Sequence, residues 1–187
     1  MRTYTSLRVE RLLVLGFLSL IVTGTLALWA ANRLAGQPLS LLDALFTSAS
    51  ALCVTGLSVV DTGKALSLPA QGVLLVLIQL GGLGVMTATT ALPLLLGLKI
   101  DLRQRLLFAG GLGLDTPQGA VRLLLTVLGY TLAVEALMAL PLFWGFLQRE
   151  PAGRALYLAV FHSVSAFCNA GFSPYGDNLE SFAGTFW

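Results

Sequence analysis

The chain has 187 residues, 56% of them hydrophobic and only 11% charged, with a mean hydropathy of +0.84 and a formal net charge of +2. A soluble domain carries about 25% charged residues, so this composition excludes an ordinary soluble globule and places the chain in the lipid bilayer. The small positive excess gives no argument for a nucleic-acid partner.

The first apolar run, Leu12–Asn32, is uncharged for 21 residues. A spanning helix needs about 20. No clean small-residue cleavage site follows it, so it reads as a retained helix over about 12–34 and not as a signal peptide. A short helix is expected next, at about 40–51. Ser40 three residues before Asp43 is a capping pattern that starts it. Twelve residues reach roughly 18 Å, too short for a hydrocarbon core of about 30 Å, so this helix must enter the membrane and return. A polar loop leads into a helix at about 69–98, within Ala65–Leu98, which is uncharged for 34 residues. A second set follows: a helix at about 118–147, a short helix at about 152–166, and another polar loop. The expected organisation is 1–98 as a first helix–pore loop–helix repeat, 99–117 as a cytoplasmic connection, and 118–187 as a second repeat without its closing helix. The uncharged run Ala155–Gly176 is long enough to be scored as a span. It holds His162, Asn169 and Pro174, and its counterpart Ala44–Val60 has only 17 residues, so both are expected to take the same re-entrant path.

Basic residues orient the chain. Seven fall on one side, Arg2 to Arg11 and Lys99 to Arg122, and four on the other, Arg33, Lys64, Arg149 and Arg154. The positive-inside rule then puts the N-terminus in the cytoplasm of a multi-pass cell-membrane protein. Asp43, Asp61, Glu150, Asp177 and Glu180 collect on the outer side, where they would raise the local cation concentration.

The two short helices and their loops repeat one another. Phe46–Ser58 (FTSASALCVTGLS) and Phe161–Ser173 (FHSVSAFCNAGFS) lie 115 positions apart and agree at seven of thirteen positions. Irregular backbone at membrane depth is tolerated where it is buried in protein or lines a water-filled cavity. Cys53, Val54, Thr55 and Gly56, with Cys168, Asn169, Ala170 and Gly171, are therefore the candidate ion-binding residues, acting through backbone carbonyls. Glycine allows the φ angles that such carbonyls need, and neither loop contains a carboxylate that could form an acidic ring. No side-chain metal site is expected. Cys53 and Cys168 read as small apolar residues rather than a disulfide.

The remaining motifs have plainer readings. Gly110–Gly119 matches no phosphate-binding pattern and reads as a turn before a helix, capped by Asp115 or Thr116, with Pro117 in the first turn. Glu135, in the middle of the third spanning helix, either fixes helix packing through a polar contact or responds to ions near a cavity, with packing favoured. His162 has no second ligand nearby and reads as a hydrogen-bonding residue. Gly81, Gly82 and Gly84 allow close packing or a bend of their helix.

These motifs resemble the Trk/Ktr/HKT superfamily of potassium transporters. Ser48–Gly63 is similar to the first pore loop of the Ktr-type membrane subunit, Ile78–Thr87 to the helix after it, and Phe161–Ser173 to the second pore loop. The resemblance implies an all-α membrane protein of repeated membrane helix–re-entrant pore loop–membrane helix modules. This chain carries about 1.75 of an expected four. It implies potassium uptake, with sodium as a possible second ion, and no enzymatic activity. It also implies a homodimer, a cytoplasmic nucleotide-binding regulatory ring, and the remaining repeats of the same transporter as partners. Two filter strands cannot enclose an ion axis, so the chain is expected to be part of a longer one rather than to assemble as paired copies. The alternatives are a non-conducting scaffold or assembly fragment, and an intramembrane hydrolase using a serine and His162.

Overall fold

The computed structural model describes the backbone of residues 3–95 and 117–182, and the side chains of residues 14–84 and 125–182. All but the last residue of the connection expected at 99–117, and the capping residues Asp115 and Thr116, lie outside the described residues. Regular structure among the described residues is helical throughout. The helices are α1 (Thr3–Leu34), α2 (Leu41–Leu52), a single turn α3 (Thr62–Ala65), α4 (Leu68–Leu95), α5 (Pro117–Phe146) and α6 (Ala152–Phe167), followed by a 3₁₀ turn at Glu180–Phe182.

Val14–Leu34 of α1 and Leu125–Phe146 of α5 are long and apolar enough to cross a membrane. They turn Leu15, Leu18, Leu26, Leu132, Leu140 and Trp144 outward. The described hydroxyls of α1 bond to the helix itself: Ser19 Oγ donates to Gly16 O at 2.7 Å and Thr25 Oγ1 to Ile21 O at 2.7 Å. The backbone of α4 runs for 28 residues, about 42 Å at 1.5 Å per residue. At 12 and 16 residues, α2 and α6 reach about 18 and 24 Å, less than the hydrocarbon thickness.

The expected cap of α2 is present. Ser40 Oγ accepts from Asp43 N at 3.0 Å and donates to Asp43 Oδ2 at 2.7 Å. The start of α6 at Pro151 has no side-chain cap. The long helices begin and end within a few residues of the sequence expectation, except that α1 starts at Thr3, well before residue 12.

The short helices are the centre of the packing. Helix α2 lies against α1 and α4, and α6 lies against α5 and α4. The main core gathers Leu28 from α1, Ala44 and Leu52 from α2, Leu74 and Ile78 from α4, and Phe161 from α6. A smaller cluster joins Phe146, Leu158 and Phe182. Buried polar side chains tie the pieces together. Asn32, fully buried, donates to Ala65 O at 2.9 Å and accepts from Ser67 N at 2.7 Å, which fixes the end of α1 to the start of α4. Gln71 donates to Leu66 O at 2.8 Å and accepts from the Tyr157 hydroxyl, linking α4 to α6.

Candidate functional site

The two repeated segments fold alike, bond for bond. At the end of α2, Val54 N donates to Ala51 O at 3.2 Å and Thr55 N to Ser50 O at 3.0 Å. At the end of α6, Asn169 N donates to Ala166 O at 3.0 Å and Ala170 N to Ser165 O at 2.7 Å. Each set is a Schellman closure, which places one residue in the left-handed region just past the helix. That residue is Val54 in one loop and Asn169 in the other, both at φ 56°. Two residues on, Gly56 and Gly171 return to positive φ, at 73° and 71°. Both loop glycines thus adopt the conformation that only glycine takes without strain.

Two pairs of serines hold this geometry. Ser50 Oγ donates to Leu57 O at 2.6 Å and Ser165 Oγ to Phe172 O at 2.7 Å, closing each loop back onto its helix. Two residues earlier, Ser48 Oγ donates to Ile21 O at 3.0 Å and Ser163 Oγ to Glu135 O at 2.6 Å, pinning each short helix to the long helix before it. The sequence reading assigned these serines no role. The signal was available, because both pairs are among the seven identities between the segments.

The loops also meet each other. A Cβ on Gly56 would lie 2.6 Å from Ala170 O and 3.4 Å from Gly171 Cα. The contact continues along the chain, where Pro174 O leaves no room for a Cβ on Gly63. Of the eight candidate ion-binding residues, Gly56, Ala170 and Gly171 are therefore brought into backbone contact. Cys53 is exposed, Cys168 buried, and both are free thiols. A cavity of about 310 Å³ is lined by Cys53, Val54, Gly82, Thr131, Cys168 and Asn169. A second, of about 340 Å³, is lined by Ser58, Asp61, Thr62, Gly171, Ser173 and Tyr175, among others. The loops run from one cavity to the other. Asp61 on the second cavity is occupied as a cap, accepting from Gly63 N at 2.9 Å and Lys64 N at 3.1 Å. Glu150, also from the acidic set, pairs with Arg154 at 3.3 Å.

His162 is buried between Phe146, Phe161 and Tyr175. Its Nδ1 is 2.7 Å from Leu158 O, so it carries the proton there, and Nε2 accepts from Ser173 Oγ at 2.9 Å. This is the serine–histidine contact that a hydrolase would need. Ser173 Oγ is also held by Tyr175 N at 3.0 Å and lies 3.4 Å from Asn178 O. Those bonds immobilise the hydroxyl and make the pair a brace for the return of the second loop.

Glu135 is buried on α5, with Gln79 of α4 beside it. Neither Glu135 Oε1 nor Gln79 Nε2 has a hydrogen-bond partner among the described residues. Gln79 Oε1 lies 4.0 Å from Cys168 Sγ. The side chain thus faces the first half of the chain across the end of α6.

The family model for TrkH, described as a cation transport protein, matches residues 11–187. The chain belongs to the TrkH family. Members of this family are membrane proteins, in keeping with the two apolar helices. The chain is similar to the Ktr system potassium uptake protein B of Bacillus subtilis, at 39% identity over 93% of this chain and 39% of the relative. It is 36% identical to the protein of the same name from Vibrio alginolyticus, over 92% of this chain and 38% of the relative. It is 31% identical to the potassium/sodium uptake protein NtpJ of Enterococcus hirae, over 90% and 38%. This TrkH-family chain therefore spans about two fifths of the length of the curated relatives it matches.

Proposed function

We propose that the chain is part of a transporter that takes up potassium through a filter of backbone carbonyls. Residues 1–98 would form one helix–re-entrant loop–helix repeat, 99–117 the cytoplasmic connection, and 118–187 most of a second. Further repeats of the same transporter would complete the ring. Cys53–Gly56 and Cys168–Gly171 would each supply carbonyls to one narrow site for a monovalent cation. The observation that carries this reading is the matched pair of loops. They have equal φ at two positions, touch through Gly56 and Ala170, and have cavities on either side. Carbonyls replace a cation's hydration shell without a buried charge to desolvate. The relatives named for potassium uptake support the choice of ion, and the one named for potassium and sodium makes sodium the competitor to test.

The N-terminus would lie in the cytoplasm, in a multi-pass arrangement in the cell membrane. Two copies of the complete transporter and a cytoplasmic nucleotide-binding ring would form the working assembly. The "Ktr system" in the relatives' names supports a multi-component system. The test is potassium flux by the complete transporter in liposomes, with sodium as competitor. Potassium flux that sodium inhibits only weakly is expected. Correctly inserted protein that passes neither ion would overturn the proposal in favour of a non-conducting scaffold.

A further inference from the structure

We propose that Gly81 and Gly82 of α4 are a shared seat that sets the register of the two loops against each other, so that they govern ion preference without touching an ion. The inference rests on the carbonyl-filter reading above. A Cβ on Gly81 would lie 2.5 Å from Leu52 O and 2.8 Å from Ala51 O, at the C-terminal end of α2. A Cβ on Gly82 would lie 2.6 Å from Cys168 Sγ and 2.9 Å from Cys168 Cβ, at the end of α6. Neighbouring positions on a helix point about 100° apart, so two adjacent glycines can receive two different helix ends. Gly84, on the same helix, has no atom of the described residues within 4 Å of its Cβ position.

What rests on the seat is the start of each loop. Ala51 O accepts the Schellman bond from Val54 N, and Cys168 is the residue before Asn169. Each loop is bonded to its helix end from there to the glycine, through Thr55 N to Ser50 O in one and Ala170 N to Ser165 O in the other. A displaced helix end therefore carries its loop with it. Gly56 and Ala170 O are already so close that a methyl group does not fit between them, so movement of one loop is felt by the other. Gln79, two and three residues before the glycines, has its Oε1 4.0 Å from Cys168 Sγ, which adds a polar contact to the same seat.

The experiment puts Gly81→Ala, Gly82→Ala and Gly84→Ala into the complete transporter. It measures membrane abundance, potassium uptake, and the potassium-over-sodium preference from competition. Gly82→Ala is expected to lower the preference by about fivefold or more, while Gly84→Ala leaves it within about twofold of wild type. Adding Cys168→Gly removes the atoms that the new methyl would strike. The double variant should return to the preference of Cys168→Gly alone. The same addition should not help Gly81→Ala, whose methyl meets backbone carbonyls that no side-chain change removes. Wild-type preference in Gly82→Ala would overturn the inference. So would a double variant that stays below Cys168→Gly alone in abundance and preference, including one that fails to reach the membrane.

A wild-type protein that does not discriminate between the ions defeats the filter reading instead. The seat is then decided by the melting temperatures of wild type, Gly82→Ala, Cys168→Gly and the double variant. Non-additive loss at positions 82 and 168 supports it, and additive loss overturns it.

Discussion

The two loops share a backbone and the serines that close it, but differ in their other supports. In the first, the residue forced into the left-handed region is Val54, a β-branched side chain for which φ 56° is costly. In the second it is Asn169, which tolerates the region. The first short helix begins with a side-chain cap at Ser40, and the second begins at Pro151 without one. Thr55 Oγ1 reinforces the first loop by donating to Ser50, with Ser50 Oγ 3.0 Å away, whereas Ala170 at the matching position offers no side-chain bond. The second loop is braced from outside instead, by His162 on Ser173. The shared parts are the closing serines and the positive-φ glycines. The comparison teaches that the loop conformation is the common element and that each half reaches it by different means.

The most forceful way to break the comparison is at the glycines. Both need positive φ, yet only one is crowded. A methyl on Gly56 would strike Ala170 O at 2.6 Å, while on Gly171 the nearest atom is Gly56 Cα at 3.5 Å. Left-handed strain alone should cost Gly171→Ala about tenfold in potassium uptake. Strain plus collision should cost Gly56→Ala about a hundredfold. Uptake in cells lacking their own potassium systems, corrected for membrane abundance, measures both. Equal losses would mean that the loops do not press on each other as they do here.

The closing serines come next. Ser50→Ala and Ser165→Ala each leave a carbonyl without its partner, Leu57 O in one case and Phe172 O in the other. Each should lower stability by about 1–3 kcal/mol in thermal melting of the purified transporter. The loss at Ser50 should be the larger, because Thr55 Oγ1 loses a partner as well, although Ser50 O remains 3.2 Å from it. Two neutral variants would show that the glycine loops hold their shape without these bonds.

The smallest effect sharpens the comparison at the Schellman position. Exchanging the two residues separately should move stability in opposite directions. Val54→Asn should stabilise by about 1 kcal/mol, and Asn169→Val should destabilise by a similar amount. Melting temperatures decide the matter. A destabilised Val54→Asn would mean that the valine side chain, half-buried against the core, contributes more by packing than it loses by strain.

Much of this architecture was legible in the residues. Uncharged runs located the first two long helices, because the cost of a charge in hydrocarbon acts on each residue separately. Ser40 and Asp43 announced the start of α2, because a capping bond spans only three residues. The 115-residue repeat located both loops, and the glycines within them do adopt positive φ. All of these are local properties, or comparisons of one local segment with another.

The structure alone decided the rest. Nothing in Val54 announces a left-handed residue, since the Schellman bonds that impose it come from where the helix ends and not from side-chain preference. Gly81, Gly82 and Gly84 look equivalent in sequence, yet two receive helix ends, and at the third no atom of the described residues lies within 4 Å of the Cβ position. Gly56 and Gly171 are identical in the repeat, yet a Cβ would lie 2.6 Å from a carbonyl oxygen of the other loop at Gly56 and 4.0 Å from one at Gly171. Local conformational cost and transfer into lipid are written residue by residue along a chain. Contact between atoms some hundred positions apart depends on how whole helices seat against one another, and only the packed arrangement fixes that.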